Sequence, residues 1–266
     1  MKSRKAIVFL STFLLIWSLI SIQKETAQAQ AMQNQKISVT VKPGAHWQHS
    51  FRILGLIKVT NQPQMAFWLE DSEGNYLTTL YVTYRTAVQD WRSSPGEKKG
   101  EIRRPSSLPV WVHQHQAGGL MDQSICARCH DLHKAKEKVI DPNSELATIT
   151  GATPKAGFTR EWQIPVDLKP GKYLIKAEIN HSKDFNNAFK EAARENDQNY
   201  SGGKMGSGQP SVVWQGELQI GTKPSAVWLK KIGHGHPAGK DGTIFSDLSM
   251  LDSALDIVES IEVKCE

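Results

Sequence analysis

Apolar residues that recur at every second position, in short runs closed by turn residues, confine this chain to β-structure. Residues 36–42 place Ile37, Val39 and Val41 on one face of an extended segment, and the runs 51–60, 65–70 and 76–84 follow, separated by Pro63 and by Glu73-Gly74-Asn75. These four read as a meander. Beyond the middle of the chain come 158–164, 172–180 entered through Lys169-Pro170-Gly171, 211–220 and 225–232. Eight short strands with such punctuation predict an all-β fold, an immunoglobulin/fibronectin-like β-sandwich of Greek-key type. With 39% hydrophobic residues in 266, the chain has enough apolar surface for one real core.

Four stretches depart from this rhythm. Residues 93–107, rich in Pro, Gly and charge, predict a loop, and so does the Gly/Ser-rich 199–209. Residues 184–196 are helix formers behind Asp184 as N-cap, and 246–262 reads as a short helix running into a final strand. No repeat and no boundary divides the rest, so 32–266 is expected to be a single domain.

The first 31 residues have another character. Lys2, Arg4 and Lys5 precede an apolar run, and the small-x-small steps Ala27-Gln28-Ala29 and Ala29-Gln30-Ala31 follow it, the pattern of a secretory signal peptide. The expected location is the periplasm or the extracellular medium; membrane attachment is expected only if the leader stays uncleaved as a signal anchor. The formal charge of +5 suggests nucleic acid at first sight. Removal of Lys2, Arg4, Lys5 and Lys24 against Glu25 leaves +2, which gives no case for it.

Cys126-Ala127-Arg128-Cys129-His130 is the sharpest chemical signal. Two thiols three positions apart are spaced to form thioethers with the vinyl groups of one haem c, with His130 beneath the iron as proximal ligand. The same residues also suit a disulfide, or zinc if His113 or His115, and His130 or His133, complete a tetrahedral N/S set. A thioredoxin-like role lacks its βαβ context.

For haem, a sixth ligand separates electron transfer from an open face that binds small molecules or peroxide. His133 follows His130 too closely to reach the opposite side, which leaves His113, His115, His181, His234, His236 and Met205, with His113 or His115 preferred as nearest in sequence. His46 with His49, and His234 with His236, read as polar loop residues before they read as metal pairs. Trp68, Trp111, Trp162, Trp214 and Trp228, all in or beside expected strands, read as core and edge packing. Cys265 has no partner once haem takes the other two cysteines, and is expected as a free thiol or an intermolecular bridge. In Thr150-Gly151-Ala152-Thr153 the threonines suit the satisfaction of loop backbone groups. The motif also resembles the flavin-attachment site of exported FMN-binding proteins, with Thr153 as acceptor, although Ala147 stands where that site has an acid.

Several blocks together resemble a predicted periplasmic family, domain of unknown function 2271. They are Arg103-Arg104-Pro105 through Leu108-Pro109-Val110-Trp111, Thr150-Gly151-Ala152-Thr153-Pro154, Leu168-Lys169-Pro170-Gly171-Lys172-Tyr173 and Gly208-Gln209-Pro210-Ser211-Val212-Val213. The resemblance runs from about Phe51 to Ile220 and implies an exported β-sandwich module, often encoded near PepSY-type membrane reductases and flavin-attachment enzymes; it implies no enzyme activity. The CxxCH is not part of that family's pattern, so residues 116–143 read as a helical, loop-borne insertion that carries the chemistry.

The resulting expectation is an exported monohaem c-type cytochrome-like protein that carries electrons between a membrane redox complex and a periplasmic partner. A non-catalytic binding or assembly module whose CxxCH holds zinc or a disulfide is the alternative, and a haem sensor or peroxidase-like enzyme the third. No Ser-His-Asp, paired-carboxylate or phosphate-loop arrangement stands out, so a carrier or binding module is expected ahead of a catalyst.

Overall fold

The first alternating run becomes β1 (Lys36–Pro43), and its partners come from the far end of the chain. It pairs antiparallel with β12 (Val258–Cys265) on one side and β7 (Phe158–Gln163) on the other, and β10 (Ser225–Trp228) completes a four-stranded sheet of order β10-β12-β1-β7. A six-stranded sheet is built from β4 (Gln64–Glu70), β5 (Tyr76–Thr83), β6 (Thr150–Gly151), β8 (Gly171–Asn180), β9 (Val212–Ile220) and β11 (Lys230–His234), in the order β11-β9-β8-β4-β5-β6. Every pairing in it is antiparallel except β5 with β6. A separate hairpin joins β2 (His49–Ile53) and β3 (Ile57–Asn61). The helices are short, α1 (Tyr84–Val88) and α2 (Pro109–Ala117). This computed structural model describes Gln23 and residues 35–53, 56–88, 104, 106–117, 150–151, 153–165 and 168–266.

The fold is the expected all-β sandwich. Ile37, Val39 and Val41 of β1 and Ile261 and Val263 of β12 close on Met65, Phe67 and Leu69 of β4, Ile175, Ala177 and Ile179 of β8, and Trp214 and Leu218 of β9. Phe67 meets Phe158 of the opposite sheet edge-on, with ring centroids 6.4 Å apart. Each large aliphatic or aromatic side chain so enclosed contributes about 1.5–3 kcal/mol by leaving water.

Alternation along the same strands sends a second set to the outer face of the six-stranded sheet. Ala66, Trp68, Val82 and Val213 pack there against Ala87 of α1 and against Leu108, Val110 and Trp111 from the segment that carries α2. The six-stranded sheet is thus covered on both sides.

Several expectations are corrected. The run 51–60 is two strands, because the chain reverses between Ile53 and Ile57; the glycine inside that apolar run is a turn signal that outweighs its periodicity. The opening strands form no meander, since β1 pairs with β7 and β12. The run 225–232 divides at Leu229, with β10 joining one sheet and β11 the other, and the buried Leu229 donates its N–H to the Ile261 carbonyl at the crossing. Residues 184–196 contain no helix: the Asn186 side-chain oxygen takes the N–H groups of Ala188 and Phe189, which closes a tight turn over the buried Phe189 ring. The helix expected within 246–262 shrinks to a 3₁₀ turn, Ser253–Asp256, before β12. Trp68, Trp111 and Trp214 are buried as expected, with Trp111 in α2 rather than a strand; Trp228, on edge strand β10, is 58% exposed. Among the described residues no helix is long and apolar enough to cross a membrane.

Candidate functional site

Cys126, Cys129 and His130 lie outside the described residues, between the end of α2 at Ala117 and the start of β6 at Thr150. The structure describes the two elements that flank that segment in sequence, α2 before it and β6 after it.

The departing strut is α2. Its first residue, Pro109, has no N–H to satisfy, and the next two donors, Val110 N and Trp111 N, reach the Glu178 carboxylate at 3.1 and 2.7 Å. Ser211 Oγ donates to the same carboxylate at 2.5 Å. Glu178 projects from β8 onto the outer face of the sheet and is fully buried, so both of its oxygens are occupied in capping a helix that belongs to another part of the chain. Burial pushes its carboxyl up to about 7, against the three hydrogen bonds from Ser211, Trp111 and Val110, which favour the ionised form.

Close approach makes this cap possible. A Cβ on Gly235 would lie 2.7 Å from both Pro109 Cγ and Ser211 Oγ and 3.0 Å from Glu178 Oε1, so no larger residue fits there. Trp111 is pinned at its far side by an Nε1–H bond of 2.9 Å to Thr79 Oγ1, and Asn180 Nδ2 holds the approach to α2 through the Ser106 and Ser107 carbonyls at 3.0 and 2.9 Å. Beside them the Lys176 ammonium meets Glu70 at 2.7 Å, and Trp68 Nε1 donates to the other Glu70 oxygen at 2.7 Å.

The returning strut is β6, hydrogen-bonded in parallel to Val82 and Thr83 of β5. Just past it, Thr153 Oγ1 donates to the Pro63 carbonyl at 2.7 Å, so the hydroxyl satisfies a loop backbone group.

The expected ligands fall into two separate groups. His113 lies half-buried on α2, with its Cβ 2.8 Å from where a side chain on Gly242 would begin. His115 is on the same helix, with its side chain outside the described set. Asp241 faces this corner: hydrogen bonds from Thr243 hold its carboxyl below the usual range, and His236 and His113 add to the effect. His234 is buried, stacked on Phe245 with centroids 5.3 Å apart, and its Nδ1 donates to the Gly235 carbonyl at 2.7 Å.

The second group lies where β8 runs out. His181 donates from Nε2 to the His46 carbonyl at 2.9 Å, and burial lowers its imidazole to about 4, so the ring is neutral. His49 donates from Nε2 to the Lys183 carbonyl at 3.1 Å and turns Nδ1 toward Asp184 at 3.8 Å. Asp184 accepts from Ser253 Oγ at 2.7 Å and Gln209 Nε2 at 3.1 Å, and burial holds its carboxyl above the usual range. Gly208, at φ +80°, lets the chain pass within contact of the Asp184 backbone. The cluster backs a 660 Å³ cleft lined by His46, Phe185, Asn186, Asp252, Ser253 and Asp256. Ser253 Oγ donates directly to the Asp184 carboxylate, with no imidazole between them.

Met205 sits in the 3₁₀ turn Gly203–Met205, its side chain outside the described set. Among the described residues no three His, Cys, Asp or Glu side chains are grouped to hold a metal ion. Cys265 is a buried free thiol in β12, 3.6 Å from the Gln35 side-chain oxygen; the intermolecular bridge is corrected to an enclosed thiol, since a second chain has no access to it. Sequence reasoning missed Glu178, the Glu70–Lys176 pair and the bonds of Gln209. Gly208-Gln209-Pro210-Ser211 was the available signal, since two of its side chains end on Asp184 and Glu178.

Compared with family models, curated proteins and solved structures, the chain matches none of them.

Proposed function

We propose that this protein is an exported, periplasmic or secreted carrier of one covalently attached c-type haem, passing electrons between a membrane-bound redox protein, of the PepSY type that the family resemblance implies, and another exported partner. The observation that carries the reading is Cys126-Ala127-Arg128-Cys129-His130 in a chain that begins with a signal-peptide pattern. The donor set fits in its chemistry: two thiols for the two thioether links and an adjacent imidazole as proximal ligand. Held there, haem would supply a one-electron couple.

The chain's own residues do the rest. Cys126 and Cys129 would hold the group and His130 would ligate it, while His113 or His115 would supply the opposite ligand from α2. A helix whose first turn is held by Glu178 and whose Trp111 is bonded to Thr79 suits that task, because a ligand on a fixed support costs little ordering when it binds.

The test is a pyridine haemochrome spectrum of protein co-expressed with cytochrome c maturation machinery, beside a Cys126→Ala/Cys129→Ala variant. A c-type spectrum that withstands acid-acetone extraction and disappears in the variant is expected. Low-spin ferric iron that becomes high-spin in His113→Ala or His115→Ala would identify the sixth ligand. Absence of covalent haem despite working machinery overturns the reading, and zinc content of the same preparation then tests the binding-module alternative, with Cys126, Cys129 and His130 as ligands.

A further inference from the structure

Three loops far apart in the chain meet where β1 and β8 end and β12 begins. They are residues 44–48, the turn 184–189, and the segment 250–256 that closes in the 3₁₀ turn Ser253–Asp256. Backbone bonds tie the first loop to the third: His46 N–H donates to the Asp256 carbonyl at 2.9 Å, and Gly44 N–H to the Ile257 carbonyl at 3.0 Å. A Cβ on Gly44 would lie 2.0 Å from the Asp256 carbonyl oxygen, so only glycine permits this approach. Side chains tie the second loop to the third. Asn186 Nδ2 donates to the Met250 carbonyl at 2.9 Å and Ser253 Oγ to Asp184 at 2.7 Å, while Gln209 Oε1 accepts the Asp252 N–H at 2.8 Å. The 660 Å³ cleft that these loops line therefore has fixed walls, and its volume falls within the roughly 300–1,000 Å³ of small-molecule sites.

The walls divide by chemistry. Phe185 and Leu255, both half-buried, supply apolar surface, and the exposed His46, Asn187, Asp252 and Asp256 add an imidazole, an amide and two carboxylates. The side chains of Asn187 and Asp256 have no partner among the described residues, so their hydrogen bonds are available to a ligand. The negative charge is partly answered from within. Ser253 N–H donates to Asp252 Oδ1 at 2.5 Å, and the Lys231 ammonium stands against the same turn, 2.6 Å from the Leu255 carbonyl. The cleft thus calls for a ligand that is polar at its edge and apolar on its face, with no need of a formal charge. A sugar ring has that character, since its faces carry C–H groups that an aromatic ring can cover and its edge carries hydroxyls that bond carboxylate and amide groups.

We propose that this cleft binds a neutral sugar, with one pyranose ring against Phe185 and Leu255 and its hydroxyls on Asn187, Asp256 and His46. The site is independent of the haem, because none of these residues belongs to α2, β6 or the segment between them.

Saturation-transfer difference NMR on the full chain tests it, with glucose, galactose, mannose, N-acetylglucosamine, maltotriose and chitotriose as probes. Transfer to the ring protons of at least one of them is expected, equally at low and high salt. Asp256→Ala should weaken the titrated affinity about tenfold and Asn187→Ala about threefold, with the thermal midpoint unchanged. Phe185→Leu, which keeps an apolar side chain but removes the ring, should weaken it about threefold. A purely structural role would move affinity and midpoint together. Absence of transfer to every one of these sugars overturns the proposal, as does binding that Asp256→Ala and Asn187→Ala both leave unchanged. Transfer to spermidine alone, diminishing as salt rises, also overturns it and makes the cleft a site for organic cations.

Discussion

On its inner face the six-stranded sheet meets its neighbour through Met65, Phe67, Leu69, Ile175, Ala177, Ile179 and Trp214, whereas its outer face buries Glu70, Lys176, Glu178 and Asn180, the last two beneath the segment that leads into α2. Apolar contacts tolerate exchange among side chains of similar volume, so the inner face sets the fold without prescribing each residue. Buried polar groups must each find a defined partner, so the outer face prescribes which backbone segment lies on it and where its helix starts. The sandwich is held by the first kind of contact, and the support of the CxxCH segment is aimed by the second.

Substitutions on the two faces should therefore differ in kind. Phe67→Ala, on the inner face, is expected to cost about 3–5 kcal/mol in urea unfolding, as one cooperative loss. On the outer face Lys176→Met leaves the Glu70 carboxylate buried without its cation and should cost about 3 kcal/mol or more; Glu70→Leu/Lys176→Met should recover most of that. If the double variant is no better than the single one, the outer face is merely packed, and the contrast fails.

Titration sharpens the comparison. Glu178 ionises at about 7 in the folded protein against an ordinary 4.5, so the folded chain holds the extra proton between those values and stability falls as pH rises through them, by about 3 kcal/mol in all. Asp184, raised by burial, acts in the same direction. His181, at about 4 against an ordinary 6.5, acts in the opposite one: the unfolded chain binds its proton first, and stability is lost as pH falls from 6.5 toward 4, by a similar amount. The two nearly cancel where they overlap, so a flat urea midpoint is expected there for the wild type. Glu178→Gln should uncover a loss on acidification and His181→Gln a gain. Equal slopes in all three proteins would refute this opposition.

The smallest expected effect is on the outside of the four-stranded sheet. Lys36→Ala removes a half-exposed ion pair with Glu161 and should change stability by less than about 1 kcal/mol, an effect that salt diminishes.

The inner face was readable from the sequence because period-two alternation is a local property, and β1, β4, β5, β7, β8 and β9 all appear within a residue or two of their expected places. The outer face was not. Lys176, Glu178 and Asn180 alternate with apolar neighbours just as solvent-facing residues do, and it is distant residues such as Ser106, Val110 and Trp111 that turn the face around Glu178 and Asn180 into an interior. Leu229 was hidden for a related reason: nothing in Ser225 to Ile232 marks a change of sheet, which is decided by what β9 and β12 offer on either side. The second polar cluster was half visible. Asp184 was noticed as a helix cap, but Gln209 and Ser253 claim its carboxylate instead, and those bonds span loops that no local pattern connects.

The pairing of β1 with β12 has a consequence for synthesis. Ile37 lies opposite Cys265, so one edge of β1 stays open until the intervening chain has been made and β12 arrives. That separation makes closure of the four-stranded sheet a slow event, since contacts so far apart in the chain are reached only after a long loop has been closed. A polypeptide arranged in this way stays pliable until β12 has been made and can reach β1.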